Sequence, residues 1–156
     1  RPTLDALADE PVLVVACTGR LDGGLESLGP LPANARAASY IPYAALLPKT
    51  SLVVSNGGFQ GVQAVLSHGI PMVTAGESED KPEVCARLLR TGASIDLATA
   101  NPEPASIRAA VRQVLDAPSF SLAAAALAQE AAEAGGASGA VDAIDAVLRD
   151  FTTPHR

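Results

Sequence analysis

Apolar residues along the chain occur in two kinds of pattern that alternate from one end to the other. Short continuous apolar runs, typical of strands buried on both faces, predict strands at residues 11–17, 51–55 and 71–75, and weaker patterns predict a short strand at 93–97 and a weak one at 36–41. Apolar residues at spacings of three and four predict helices at residues 43–47, 59–68, 80–91, 104–115, 119–134 and 141–148. Residues 21–34 are rich in Gly and Pro and predict a loop.

Strands that alternate with helices in this way predict an α/β fold, a Rossmann-like, doubly wound parallel sheet with helices on both faces. A length of 156 residues fits one domain, which we assign to residues 1–150, with residues 151–156 as a flexible tail. Ligands of such folds bind at the carboxyl ends of the strands, so the segments that follow each strand are the candidate sites.

Composition narrows the classes of function. A net charge of −6, with two Tyr, three Phe and no Trp, disfavours nucleic-acid binding, which needs basic patches or stacked aromatic rings. The longest apolar run is about seven residues, well short of the ~20 of a membrane-spanning helix, and no secretion signal is evident. Cys17 and Cys85 lack metal-site spacing, so we expect no metal and a cytoplasmic protein with reduced thiols.

The clearest candidate site is Asn56-Gly57-Gly58, between a predicted strand and a predicted helix. Glycines allow a ligand to approach the backbone, and the first free amides of a helix bind anions with the help of the helix dipole. An acidic protein can hold a diphosphate in this way without clustered lysines. The alternative is a tight turn that binds no ligand.

Two other phosphate motifs were compared with this turn. A Walker A loop is excluded because Gly61 is not followed by Lys and Ser or Thr. The dinucleotide pattern G-x-G-x-x-G is nearly met by Gly58 and Gly61, with Asn56 at the first position and Glu77 near the place of a ribose-binding acid. A nicotinamide-binding domain is therefore an alternative, although this turn follows the third strand and not the first.

Two further segments follow neighbouring strands. Residues 76–83 carry several carboxylates, which could bind sugar hydroxyls or simply form a capping box of Asp80 and Glu83 at a helix start. Residues 40–43, Tyr-Ile-Pro-Tyr, could place a nucleotide base against an apolar wall, or could be a strand end at a proline.

In chain order these segments read Y-I-P-Y-x-x-L-L-P, V-V-S-N-G-G-F-Q-G-V-Q-A-V-L-S-H-G-I-P-M-V and E-D-K-P-E-V-x-A-R-L-x-x-x-G-A. Together they resemble the carboxy-terminal, donor-binding domain of GT-B glycosyltransferases, in particular the bacterial macrolide and UDP-glycosyltransferase-like enzymes that modify natural products. The resemblance implies one lobe of a GT-B fold. It also implies an inverting, metal-independent transfer of a sugar from a UDP- or TDP-sugar, with no cofactor.

The resemblance also assigns residues to parts of the donor. The diphosphate would be held by Asn56, Gly57, Gly58, Gln60, Gly61, Val62, Thr18 and Arg20; the base by Tyr40 and Ile41; the ribose by Gln63; and the sugar by Glu79, Asp80 and Lys81. The chain departs from the family pattern where Asn56 replaces a histidine, where Gly61 and Val62 replace Ser or Thr, and where Lys81 replaces a glutamine. Backbone amides are therefore expected to contribute more to phosphate binding.

No catalytic residue is assigned to this chain, because the family's base lies in an amino-terminal acceptor-binding domain. His68 and His155 are interpreted as incidental. The partner is therefore an amino-terminal acceptor domain or, alternatively, a separate acceptor-binding subunit of a split glycosyltransferase.

Overall fold

The structure, a computed structural model, describes residues 1–20 and 24–152. The strands are β1 (Val14–Cys17), β2 (Ala35–Ala38), β3 (Val53–Ser55), β4 (Met72–Thr74) and β5 (Ser94–Asp96). The helices are α1 (Pro2–Ala6), α2 (Tyr43–Leu46), α3 (Phe59–Leu66), α4 (Lys81–Arg90), α5 (Pro104–Asp116), α6 (Pro118–Glu133) and α7 (Gly136–Thr152). Short 3-10 turns lie at Leu25–Leu28 and Leu47–Lys49. The predicted α/β alternation is confirmed.

All strand pairs are parallel, as predicted, but the strands form two sheets. β1 pairs with β2, and β3, β4 and β5 form a three-stranded sheet in that order. The expectation of one sheet needs this correction, because the apolar pattern of a strand shows that it is buried and not which neighbour it pairs with.

The three-stranded sheet is covered on both faces. Met72 of β4 belongs to an apolar cluster with residues of α3, α4 and α6, whereas Val73, the next residue, belongs to a second cluster with residues of α1 and α5. Successive strand residues point to opposite faces, so β4 contributes to both clusters. The second cluster also takes Val14 of β1, so α1 and α5 extend beneath both sheets.

Three local features differ from the sequence-based expectation. α1 was not predicted, because five residues are too few for a helical apolar period to show. The last helix, predicted at residues 141–148, runs from Gly136 to Thr152, so the first two residues of the expected tail are helical. Residues 21–23 of the predicted loop and residues 153–156 of the tail, His155 included, lie outside the described residues.

Among the described residues, no helix is both long enough and apolar enough to span a membrane.

Candidate functional site

The glycine turn (residues 56–58) leads from the carboxyl end of β3 into α3. Gly57 has a φ of +78°, in the left-handed region that favours glycine, and it is buried. Gly58 returns to an extended conformation, with φ −61° and ψ 135°, and stands at the N-cap of α3 without a side-chain capping bond. The turn therefore directs the first amides of α3 toward the edge of the sheet where ligands of this fold class bind.

The amides of the turn itself are already bonded. The N–H of Gly57 donates to Oγ of Ser55 at 3.2 Å, and the N–H of Gly58 donates to Oδ1 of Asn56 at 3.3 Å. Asn56 thus acts as an acceptor toward its own turn. The glycines give the turn its shape, and the donors available to an anion must come from the residues that follow.

Those donors are in the first turn of α3. The first hydrogen bond of the helix joins Val62 N–H to the Gly58 carbonyl at 3.0 Å, so the N–H groups of Phe59, Gln60 and Gly61 precede the ladder. Among the described residues they have no protein acceptor. The side chain of Val62 is buried in the core and its amide is bonded, which leaves neither group for a ligand.

The loop after β4 lies directly against the glycine turn. A Cβ on Gly76 would stand 2.1 Å from the carbonyl oxygen of Asn56 and 3.1 Å from Cδ of Lys81. Only glycine allows this approach, because real Cβ atoms do not come so close to a backbone oxygen. The structure therefore brings the glycine turn and the segment of residues 76–83 together.

Lys81 is held by its own loop. Its ammonium group forms an ion pair with Glu79 and donates to Oγ of Ser78 at 3.2 Å. The hydrogen bond and charge of Lys81 hold the pKa of Glu79 below its ordinary value. Because its side chain is only 13% exposed, Lys81 fixes this loop instead of extending toward solvent.

The capping box predicted at the start of α4 is absent. Asp80 stands at the N-cap but makes no side-chain capping bond. Glu83 accepts from Nε of Arg87 at 2.7 Å, one turn further along the helix, which lowers the pKa of Glu83. The carboxylate of Asp80 is exposed and is not used to cap its helix.

A groove of about 460 Å³ runs between α3 and α4. Its floor includes Val62, Leu66 and Leu88, and its rim includes Gln63 and Asp80. These two rim residues were assigned separately to the ribose and to the sugar, and the structure places them on one groove.

Phe59, which sequence reasoning did not select, also lines this groove and is 55% exposed. An exposed aromatic side chain directly after a glycine turn is the sequence signal that could have identified it.

The segment after β2 reaches the start of α3 through Tyr43. A Cβ on Gly61 would lie 4.0 Å from the Tyr43 hydroxyl oxygen. Tyr40 is 59% exposed and Ile41 is half-buried, so both side chains are accessible as a wall for a base.

Thr18 and Arg20 follow β1 and contact the end of β2. Oγ1 of Thr18 donates to the Ser39 carbonyl at 3.4 Å, and the N–H of Arg20 lies 3.5 Å from the same Oγ1. These two residues therefore adjoin the segment of Tyr40 and Ile41.

Within the described ranges, no group of three or more His, Cys, Asp or Glu side chains is arranged to hold a metal ion. His68 lies beyond the carboxyl end of α3, with Nδ1 2.9 Å from the Ala64 carbonyl oxygen. This is the end of α3 opposite to the glycine turn.

Comparison with known proteins agrees with this geometry. Residues 3–145 match the family described as erythromycin biosynthesis protein CIII-like, C-terminal domain. The chain is 47% identical over 129 residues to 4'-demethylrebeccamycin synthase of Lentzea aerocolonigenes, covering 83% of this chain and 30% of that protein. It is 46% identical over 120 residues to UDP-glucosyltransferase A1 of Starmerella bombicola, covering 76% and 26% respectively.

A solved structure shows the same fold. The crystal structure of the glycosyltransferase VinC in complex with dTDP matches with a TM-score of 0.73 and 28% identity, covering 83% of this chain and 32% of that one. The chain thus spans less than a third of the length of these two curated relatives. It belongs to the family of erythromycin biosynthesis protein CIII-like C-terminal domains, which confirms its resemblance to the carboxy-terminal domain of GT-B glycosyltransferases.

Proposed function

We propose that the chain binds a UDP- or TDP-sugar and is the donor-binding domain of an inverting, metal-independent glycosyltransferase that acts on a small-molecule acceptor. The observation that carries the proposal is the set of unbonded amides of Phe59, Gln60 and Gly61 behind the glycine turn. Relatives whose names include UDP-glucosyltransferase and 4'-demethylrebeccamycin synthase, and a related structure that contains dTDP, support the type of donor and the class of acceptor.

The diphosphate would lie at the amino terminus of α3. Three N–H groups and the positive end of the helix dipole face an anion there, and in the reaction they would stabilise the negative charge that develops on the departing diphosphate. Gln60 is exposed in the same turn, so its side chain is also available to a phosphate oxygen. Thr18 and Arg20 are proposed to close this subsite from the β1 side.

The rest of the donor would extend away from the phosphates in two directions. Tyr40 and Ile41 would contact the base, while Gln63 would bind the ribose. Glu79 and Asp80 would accept hydrogen bonds from the sugar hydroxyls, with Asp80 the better placed because its carboxylate is not paired with Lys81. Lys81 would act mainly by holding the loop that carries both acids.

A calorimetric titration of the chain with UDP, TDP and NADH tests this proposal. Saturable binding of UDP or TDP, with weaker binding of the monophosphate, is expected. If NADH bound and neither nucleoside diphosphate did at millimolar concentration, the dinucleotide-binding alternative would replace the proposal.

Two variants of one residue isolate the contribution of the helix terminus. In Gly61→Asp a carboxylate is added beside the open amides, where space is available because the nearest atom to a Cβ is the Tyr43 hydroxyl at 4.0 Å. Its charge should repel the diphosphate and weaken UDP binding by about tenfold or more, while an acid in the first turn favours the helix itself. Gly61→Asn is the neutral control of similar size and should lose much less. Equal losses would mean that the diphosphate does not lie at this helix terminus.

The catalytic base and the acceptor site are proposed to come from a partner, either an amino-terminal domain or a separate subunit. His68 is at the wrong end of α3 to act on a donor at the glycine turn. α7 presents Val141, Ile144 and Leu148, each more than half exposed, which is an apolar face available to such a partner. The chain alone is expected to bind donor without transferring sugar to an acceptor. Efficient transfer by the chain alone, measured by product formation, would contradict this.

A further inference from the structure

A cluster of three side chains lies directly beneath the glycine turn. Cys85 of α4 and Thr74 of β4 are fully buried, and Asp96 of β5 is half-buried beside them. Oγ1 of Thr74 donates to Oδ1 of Asp96 at 3.2 Å, and both groups lie close enough to the Cys85 thiol to influence its pKa. We call Cys85, Thr74 and Asp96 the supporting cluster.

The supporting cluster contacts the glycine turn through the Cys85 sulfur. A Cβ placed on Gly57 would lie only 2.2 Å from Sγ of Cys85. The same Cβ would lie 3.9 Å from Cβ of Cys85, which is an ordinary contact distance. The Lys81 carbonyl oxygen is also 3.9 Å away, so the sulfur is the one of these three atoms that a Cβ on Gly57 would clash with.

The cluster is anchored at its other end to the backbone. Oδ1 of Asp96 also accepts the N–H of Ala98 at 3.1 Å, so the carboxylate joins β5, the loop after it and Thr74. Burial raises the pKa of the Cys85 thiol, the nearby Thr74 hydroxyl partly opposes this rise, and the charge of Asp96 adds to it. The thiol is thus a neutral packing group in contact with the turn.

A second close contact of the turn is made by Gly76, which approaches the Asn56 carbonyl too closely to allow a side chain. The glycine turn therefore contacts both the loop after β4 and the Cys85 sulfur. Gly57 keeps its positive φ in this space, and its geometry determines where the amides of Phe59 to Gly61 point.

We propose that Cys85 is a positioning residue for diphosphate binding, which acts by fixing Gly57 from below. This inference rests on the proposed function, since it concerns the same donor site. Cys85 does not touch the donor. It sets the backbone that does.

The test is a double-mutant cycle of Gly57→Ala and Cys85→Ala, read by the dissociation constants of UDP and of uridine. Gly57→Ala should weaken UDP binding by about tenfold or more, because the new Cβ meets the sulfur and because alanine is strained at this φ. Cys85→Ala alone should weaken UDP by about threefold. In the double variant the Cβ has room, and a substantial part of the loss from Gly57→Ala should be recovered.

Uridine distinguishes positioning from general stability. It lacks the diphosphate, so its affinity should stay the same in Cys85→Ala, whereas a loosened fold would change both ligands alike. Cys85→Ser, which keeps a polar group of similar shape, should retain UDP binding within about twofold. Val111→Ala, in α5 and buried in the apolar cluster on the other face of the sheet, away from the groove, is the control. It should lower the melting temperature with no change in the ratio of UDP to uridine affinity.

The outcomes separate the two proposals. Failure of the unaltered chain to bind UDP or TDP would overturn the proposed function. Normal UDP binding by the chain, combined with additive losses in the double variant or with an unchanged affinity ratio in Cys85→Ala, would overturn the positioning role alone. If Gly57→Ala does not fold, as judged by circular dichroism, the comparison of Cys85→Ala, Cys85→Ser and Val111→Ala still decides the question.

Discussion

The two sheets of the molecule differ in how they are covered. The sheet of β3, β4 and β5 has apolar clusters on both faces, and Met72 and Val73 are completely buried. In the sheet of β1 and β2, Val14 packs against the α1 and α5 cluster, but Val15 of β1 is 38% exposed and Leu13, the residue directly before β1, is 68% exposed. One sheet is thus enclosed and the other is covered on one face.

This difference divides the candidate site into two kinds of structure. The part at the ends of β3 and β4 consists of backbone that is fixed by the core, through Gly57, Gly76 and Cys85. The part after β1 and β2 consists of side chains such as Tyr40, which is 59% exposed. Changes in the first part should therefore affect folding and binding together, whereas changes in the second part should affect binding alone.

The largest effect should come from a cavity in the enclosed sheet. Met72→Ala is expected to lower the free energy of unfolding by about 2–5 kcal/mol, because the lost side chain leaves a void that close-packed neighbours fill only in part. Leu13→Ala, directly before β1 and mostly exposed, is the control and should cost less than about 0.5 kcal/mol. Urea denaturation followed by circular dichroism measures both. Similar losses in the two variants would show that the sheets are equally enclosed.

The positions of the strands and of the glycine turn follow from local sequence, whereas the pairing of the strands into two sheets does not. The apolar pattern located the strands, β2 only as a weak one, and Asn56-Gly57-Gly58 located the turn. The split between β1–β2 and β3–β5 was missed because strand pairing depends on residues far apart in the chain.

The atoms of the site that can bind a ligand were harder to predict than the location of the site. Gly57 and Gly58 were expected to offer amides to phosphate, yet their donors are taken by Ser55 and Asn56, which depends on side-chain conformation. The role of Cys85 had no sequence signal, because the contact joins positions 28 residues apart on separate elements. Local sequence patterns indicated which segments form the site. Which of their atoms remain available to a ligand depends on packing between residues that are far apart in the chain.

A smaller effect is expected on the open side of the site. Tyr40→Ala should weaken UDP and uridine binding by a similar factor, about fivefold, because the loss of a stacking surface for a base is worth roughly 1 kcal/mol. The melting temperature should stay the same, since the ring is mostly exposed. Tyr40→Phe keeps the ring and should bind nearly as the unaltered chain. A loss for UDP alone would mean that Tyr40 acts on the phosphates instead of the base.

The smallest effect tests whether an exposed ion pair on the enclosed side of the site contributes little to the stability of the fold. Lys81 lowers the pKa of Glu79 in the folded chain below the ordinary value of 4.5, so the pair stabilises the fold above that pH and loses this contribution as the pH falls through the lowered pKa. Because Glu79 is 77% exposed, Glu79→Gln should lower the melting temperature at pH 7 by only about 1 °C. The difference from the unaltered chain should become smaller as the pH is lowered below 4.5. Glu83→Gln, which removes the exposed pair with Arg87, is the control and should behave alike. A much larger and pH-dependent loss of melting temperature in Glu79→Gln alone would mean that the loop after β4 depends on this ion pair. The surface on the enclosed side of the site would then be strongly coupled to the stability of the fold.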